Sequence, residues 1–337
     1  MNNVRNQNRK IRIYFYILSA ALLVAVASGL IFGSVNIPLK EVIGAVIGRN
    51  ASSKAGIIIR TVRLPRVIAG FLAGAGLGTA GVIIQSVMNN SLASPNTIGV
   101  NSGAGFFVML SMMIFPQSLI AKPLMAFVGA MLTSTVILCI AYIAEKSRVT
   151  IVLAGIAVSS FLSAGMNMMR VFDTDMSVNA TQFLVGSLSG VTMKALRYPS
   201  VGIVCAIIVA IFFGKALNLL ALGDGVASSL GLRVNLFRII FVIIASVLSG
   251  FVVSFSGLIG FVGLIVPHIC RYFFGHDSRV LIPAAALMGA VFVLVCDLFG
   301  RVVFAPYELP VGIILSLMGA PFFLYLLMRK GGRRVNA

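Results

Sequence analysis

Again and again this sequence runs for close to twenty residues with almost no charge. The stretches are Ile13–Phe32, Leu64–Met88, Thr97–Phe115, Ile120–Ala144 and Ile151–Met169, then Leu236–Phe255, Val280–Phe299 and Val311–Met328. A helix needs about 20 apolar residues to cross the hydrocarbon core of a bilayer. In that solvent the backbone must satisfy its own polar groups, which leaves helices and closed barrels. A barrel strand would alternate polar and apolar residues over about ten positions, whereas these runs are apolar throughout. The chain therefore reads as an all-α polytopic membrane protein. Tyr198–Gly214 is shorter but framed by Arg197 and Lys215, and Ile259–Phe274 is interrupted by Pro267, His268 and Arg271. Counting both, about ten spans are expected in a single transmembrane domain, residues 1–337. Its tails are 1–12 and 329–337, and the loop between its sixth and seventh spans is 217–235.

Basic residues orient the spans. Arg5, Arg9, Lys10 and Arg12 precede the first run, and Arg329, Lys330, Arg333 and Arg334 follow the last. Lys and Arg accumulate on cytoplasmic loops, so both termini are expected inside, in keeping with an even number of spans. Alternation then leaves 11 of the 26 basic residues outside, more than topology requires. Arg60, Arg63 and Arg66 crowd the start of the second run, in "IIIRTVRLPRVIAG", and Arg301 follows the ninth. Charged groups at bilayer depth cost roughly 2.5–3.5 kcal/mol each, so these arginines are expected at an outer surface. They would either hold something there or snorkel to lipid headgroups. The net charge of +18 fits basic loops on anionic lipid and needs no nucleic acid.

Reactive groups are few. The two histidines, four scattered cysteines and eight carboxylates show no metal-ligand or disulfide spacing, so no metal and no cofactor are expected. No G-x-x-x-x-G-K-[ST] loop occurs, and the chain is not expected to be an enzyme. Within the runs the acid is Asp297, four residues before Arg301 at helical pairing distance. Its expected task is to orient that arginine. Glycines at "GFLAGAGLGTAG" (Gly70, Gly74, Gly78) have the spacing that lets helices approach closely.

The loop "LNLLALGDGVASSLGLRVN" is more telling. Asp224 can cap a short helix and Gly231 can end it, with Val226, Ala227, Ser228 and Leu230 between. A helix of two turns is not stable alone. It must lie on the protein's own spans or on a docked partner.

With these motifs in view, the chain resembles the FecCD family of permeases, membrane subunits of ATP-driven importers of ferric siderophores, haem and cobalamin. The resemblance is carried by "RLPR" (63–66), "GLGTAGVIIQ" (76–85), "NNSLASPNTIGV" (89–100), "SGLIGFVGLIVPHICR" (256–271) and "DLFGR…ELPVGIILSLMGAPFFLYLL" (297–327). Gly260, Gly263, Pro267, His268, Arg271 and Asp297 belong to this signature. One departure is Ser91, where the family usually has proline. The resemblance implies a type II importer architecture in a bacterial cell membrane. It implies a homodimer or heterodimer with a second permease subunit, two cytoplasmic ATPase subunits and an external substrate-binding protein. It further implies that Asp224–Gly231 is the coupling helix that enters a cleft of the ATPase. Arg63, Arg66 and Arg301 would receive acidic side chains from the binding protein, with Arg60 added by position alone. Gln85, Asn101 and Asn167, polar residues within spans, are candidates for lining a path along the dimer interface. The expected cargo is a ferric siderophore, with haem or cobalamin as alternatives. A reading of a different class is an ion- or proton-coupled secondary transporter, which would make Asp297 and His268 essential.

Overall fold

The computed structural model describes residues 2–33, 37–47, 53–116, 118, 120–143, 148–172 and 181–331. The tail beyond Gly331 lies outside the described residues. The described residues are helical, with no strand among them. In chain order they form α1 (Asn2–Ile31), α2 (Leu39–Ile47), α3 (Lys54–Ile58), α4 (Leu64–Val87), α5 (Val100–Ile114), α6 (Ala121–Ile143) and α7 (Arg148–Phe172). After these come α8 (Met193–Phe212), α9 (Gly214–Ala221), α10 (Asp224–Ser229), α11 (Val234–Ser256), α12 (Val262–Phe274), α13 (Ser278–Val302) and α14 (Val311–Gly331). Among the described residues seven helical stretches are long and apolar enough to cross a membrane, and three shorter apolar helices accompany them. Each coincides with one of the apolar runs.

Three details depart from the expected spans. The tail 1–12 is no separate segment, because α1 is continuous from Asn2. The second span begins at Lys54, ten residues before its apolar run, as one stretch to Val87. Its first turns reach α4 through a π turn, Ile59–Arg63, in which the Leu64 N–H bonds the Ile59 carbonyl. The cause is Pro65. A proline ring collides with the carbonyl four residues back, and an extra residue in the turn moves that carbonyl away. The interrupted run 259–274 yields a helix of 13 residues, roughly 20 Å long and too short to span. The irregular backbone ahead of it is satisfied by protein: Leu258 N–H bonds Phe183 O at 2.9 Å and Ser187 N–H bonds Ser256 O at 2.8 Å. Non-helical backbone at membrane depth survives only when enclosed in this way.

The core is an antiparallel pair, α4 against α13. A Cβ on Gly74 would overlap the Gly289 carbonyl, and one on Gly289 would overlap the Gly74 carbonyl. Gly78 stands in the same relation to Ala285, and Gly81 to Gly263 of α12. The backbones touch because no side chain stands between them, as the glycine spacing predicts. This pairing sets Arg66 beside Asp297 at one end. At the other end lie α9, α10 and the start of α13. There Tyr14 and Phe15 of α1 pack edge-on and tilted against Phe273 and Phe274.

Candidate functional site

At the arginine end, the expectation of exposed cations meets a different structure. Arg63, Arg66 and Arg301 are only 4%, 5% and 3% exposed. Arg66 makes two contacts with Asp297 through Nε, at 3.0 and 3.1 Å, and a third through Nη2 at 3.0 Å. Its Nη1 donates to Glu308 Oε2 at 2.6 Å. The other oxygen side of Asp297 faces Arg301 Nε at 3.1 Å, so the i,i+4 pair expected from the sequence is present but shared with a helix 231 positions away. Arg301 Nη1 also reaches Gly29 O and Phe32 O at 3.3 and 3.4 Å. Arg63 Nη1 donates to Leu30 O and Ile31 O at 2.7 and 2.6 Å. These are the last carbonyls of α1, which have no partner within their own helix and carry its negative dipole end. Arg60 Nε donates to Ala45 O of α2 at 2.8 Å. The arginines are therefore not surface anchors in headgroups. They clamp α1, α2, α4 and α13 together.

Buried charge on this scale persists only when paired and hydrogen-bonded. Among the described residues three guanidinium groups gather with two carboxylates, an excess of one positive charge. It opens into a cavity of about 200 Å³ lined by Gly33, Ile58, Val62, Arg63, Arg66, Arg301 and Glu308. Glu308 is the member that reaches solvent, with 34% of its side chain exposed. Sequence reading missed Glu308 as a site residue, although it sits in the quoted motif "ELPVG".

At the opposite end, α10 has six residues. Gly223, at φ +105°, takes the N-cap position; Asp224 is not the cap. The Asp224 carboxylate instead accepts from Arg238 Nη2 of α11 at 2.6 Å, and Arg238 is buried. Gly231, at φ +82°, ends the helix as expected. Gly231 N–H bonds Ser228 O and Leu232 N–H bonds Ala227 O, both at 3.0 Å, which is a Schellman closure. Ala227 is fully buried, so it is the seat of α10 on the protein and not part of a surface for a partner. Val226 and Leu230, 49% and 59% exposed, point away, as does Leu222 just before the helix. The Ser228 hydroxyl folds back onto Asp224 O at 2.8 Å.

Beside it, Asn218 of α9 donates from Nδ2 to Asp277 Oδ1 at 2.8 Å and accepts the Ser278 N–H at 2.7 Å. Arg279 pairs with Asp277 at 2.8 Å. These bonds, the guanidinium foremost, hold the Asp277 carboxyl down at about 2, against the raising effect of partial burial.

Gln85 lies between α4 and α12 and is 2% exposed, so it lines no open path. Its task follows from Pro267, which has no N–H for the Gly263 carbonyl four residues back. Gln85 Nε2 approaches that carbonyl at 3.3 Å and Leu264 O at 3.4 Å, while its Oε1 accepts from Arg271 Nη1. Asn101 is half-buried near the start of α5, and Asn167 is exposed on α7 beside Arg170 at 3.5 Å. The His268 ring meets Phe322 of α14 edge-on, 6.0 Å between centroids. Gly260, by contrast, has open space around it apart from Asn96 at 4.0 Å. In the loop with the Ser91 departure, Asn90 Oδ1 accepts the Leu92 N–H at 3.0 Å, so a side chain closes the turn. Among the described residues no cluster of His, Cys, Asp and Glu could hold a metal.

Comparison with known proteins agrees with the signature residues. The FecCD transport family profile matches residues 21–329. The Fe(3+)-citrate import system permease protein YfmE of Bacillus subtilis (strain 168) is 36% identical over 325 residues, covering 96% of each chain. The iron(3+)-hydroxamate import system permease protein FhuB of the same organism is 34% identical over 88% of this chain and 78% of its own. A solved structure described as an inward-facing conformation of an ABC transporter of metal-chelate type superposes with a TM-score of 0.81 at 26% identity, covering 94% of this chain and 99% of that one. A match over more than nine-tenths of the chain, in sequence and in fold, leaves one assignment: the chain belongs to the FecCD transport family.

Proposed function

We propose that this chain is the membrane permease subunit of an ATP-driven importer of ferric chelates. It would work in a bacterial cell membrane as one of two permease subunits, with two cytoplasmic ATPase subunits and an external binding protein. The observation that carries the reading is α10. Its small residue, Ala227, is buried, while Leu222, Val226 and Leu230 present an exposed apolar face on a helix too short to stand alone. An apolar face of this kind calls for a cover, and a cleft in an ATPase subunit is the cover that fits an importer without a nucleotide-binding loop of its own. Replacing Val226 or Leu230 with aspartate tests this. The variant permease should insert normally and lose the ATPase on copurification; retention of the ATPase at the unmodified level would sink the assignment.

The arginine end fits the external partner. The cavity carries net positive charge, and a carboxylate entering it would meet guanidinium groups already held in place, the arrangement in which arginine recognises acids best. Charge complementarity of this kind acts chiefly on docking orientation and association rate. The cargo reading rests on relatives named for ferric citrate and ferric hydroxamates, with a siderophore as our first choice. Growth of a deletion strain on each chelate, on haem and on cobalamin decides among them. A secondary transporter is disfavoured because Asp297 is committed to two arginines. Uptake should continue when the proton gradient is collapsed and ATP is kept high.

A further inference from the structure

The coupling segment is hung between two glycines. Gly223 at φ +105° and Gly231 at φ +82° adopt backbone conformations that side-chain-bearing residues avoid, and a Cβ at Gly223, Gly225 or Gly231 would meet nothing within 4 Å. With both ends clear of neighbours, a six-residue helix seated on the protein through Ala227 can swivel about two such points unless something fixes its angle. Its hydrogen bonds to Gly231 and Leu232 are local and turn with it. It is joined to a long helix at the buried seat of Ala227 and by a charged bond, Arg238 Nη2 to Asp224 Oδ2 at 2.6 Å, across 14 positions of sequence. Arg238 is rooted in the second turn of α11 and buried there, so it cannot follow a swivelling helix. The segment that leads into α10 is fixed independently, by Asn218 to Asp277 and Ser278 at the head of α13.

We infer that Asp224 and Arg238 are positioning residues for energy coupling: their bond locks the angle of α10 on α11, so that a push on Val226 and Leu230 moves the membrane helices instead of turning α10 about its glycines. This rests on α10 being the ATPase contact. The two residues touch neither substrate nor nucleotide, and they act through the rigidity of the joint.

The test uses the whole importer in proteoliposomes, with ATPases and binding protein present. The readout is chelate imported per ATP hydrolysed, using radiolabelled ferric citrate or a ferric hydroxamate, whichever supports growth. Asp224→Asn is the decisive variant, because it keeps the shape of a half-exposed side chain and removes its charge. Import per ATP should fall at least about fivefold; because the readout is normalised to hydrolysis, a variant that merely bound less ATPase would lower both and leave the ratio unchanged. Arg238→Lys, which keeps the charge but not the fork, should give an intermediate ratio. The double variant should be no worse than Asp224→Asn alone. An unchanged ratio in Asp224→Asn, or a fall in import matched by an equal fall in hydrolysis, overturns the inference, since a merely structural role would scale both. Val226→Asp is measured alongside. If it keeps the ATPase, α10 is not the contact and both readings fall. If it loses the ATPase while Asp224→Asn keeps its ratio, only the role of the ion pair falls.

Discussion

Asp297→Asn is the sharpest probe of the arginine cluster. The carboxylate lies within 3.0–3.1 Å of Arg66 and Arg301, both buried. Asparagine keeps the volume and one acceptor oxygen but removes the charge, so two guanidinium groups are left with the half-exposed Glu308 as their remaining acid. Removing one partner of a buried pair costs about 3–5 kcal/mol. The retained oxygen puts this variant near the lower bound, about 3 kcal/mol, which is roughly a hundredfold in the folding equilibrium. Denaturant unfolding of the purified protein in detergent would read it. Adding Arg301→Gln to Asp297→Asn should cost little more than Asp297→Asn alone, because the arginine has then already lost its acid. The coupling energy should be at least about 1.5 kcal/mol. A cost below about 1 kcal/mol for Asp297→Asn, or single costs that simply add, would show that the cluster is not an interdependent unit.

Two further outcomes follow from single side chains. Gln85→Leu leaves the Gly263 carbonyl without its donor and takes an acceptor from Arg271, so it should cost about 1–3 kcal/mol in unfolding; a neutral variant would mean that Gln85 is no splint for the Pro267 break. Asp277 has a folded-state value of about 2 against an ordinary 3.8, so its clasp contributes fully above about pH 4 and is lost as pH falls through about 2. The stability gap between the unmodified chain and Asp277→Asn should therefore be flat from pH 5 to 8 and close only in strong acid, and a gap that changes near neutrality would refute it.

The spans were legible because hydropathy depends on composition along a run, which the sequence displays directly. At 259–274 the helix begins only at Val262, since the backbone just ahead of the run, at Ser256 and Leu258, is bonded to residues 183 and 187 far off in the chain. The site was legible by address and not by partner. Asp297 and Arg301, four apart, could be paired on paper; Arg66 and Asp297 could not, because only the close packing of α4 on α13 brings them together. Arg63 was unreadable in the same way, since its partners are backbone carbonyls and any residue supplies one. At α10 the terminal glycine was correctly placed. The cap was not, because Gly223 took that position and released Asp224 to reach Arg238.

The glycine contacts between α4 and α13 have a mechanical consequence. Where two backbones touch with no side chain between them, there is no rotamer to flip and nothing to absorb a slide. The pair behaves as one plank. Gly103 and Gly129 meet in the same way and make a second plank of α5 and α6. Helix α11 lies between the two and touches them through side chains, among them Phe251 stacked on Phe127 at 4.5 Å. Side-chain interfaces of that kind can shear by small steps. Any alternation of this protein between open states must then be drawn along α11, the helix whose first turns also hold Arg238.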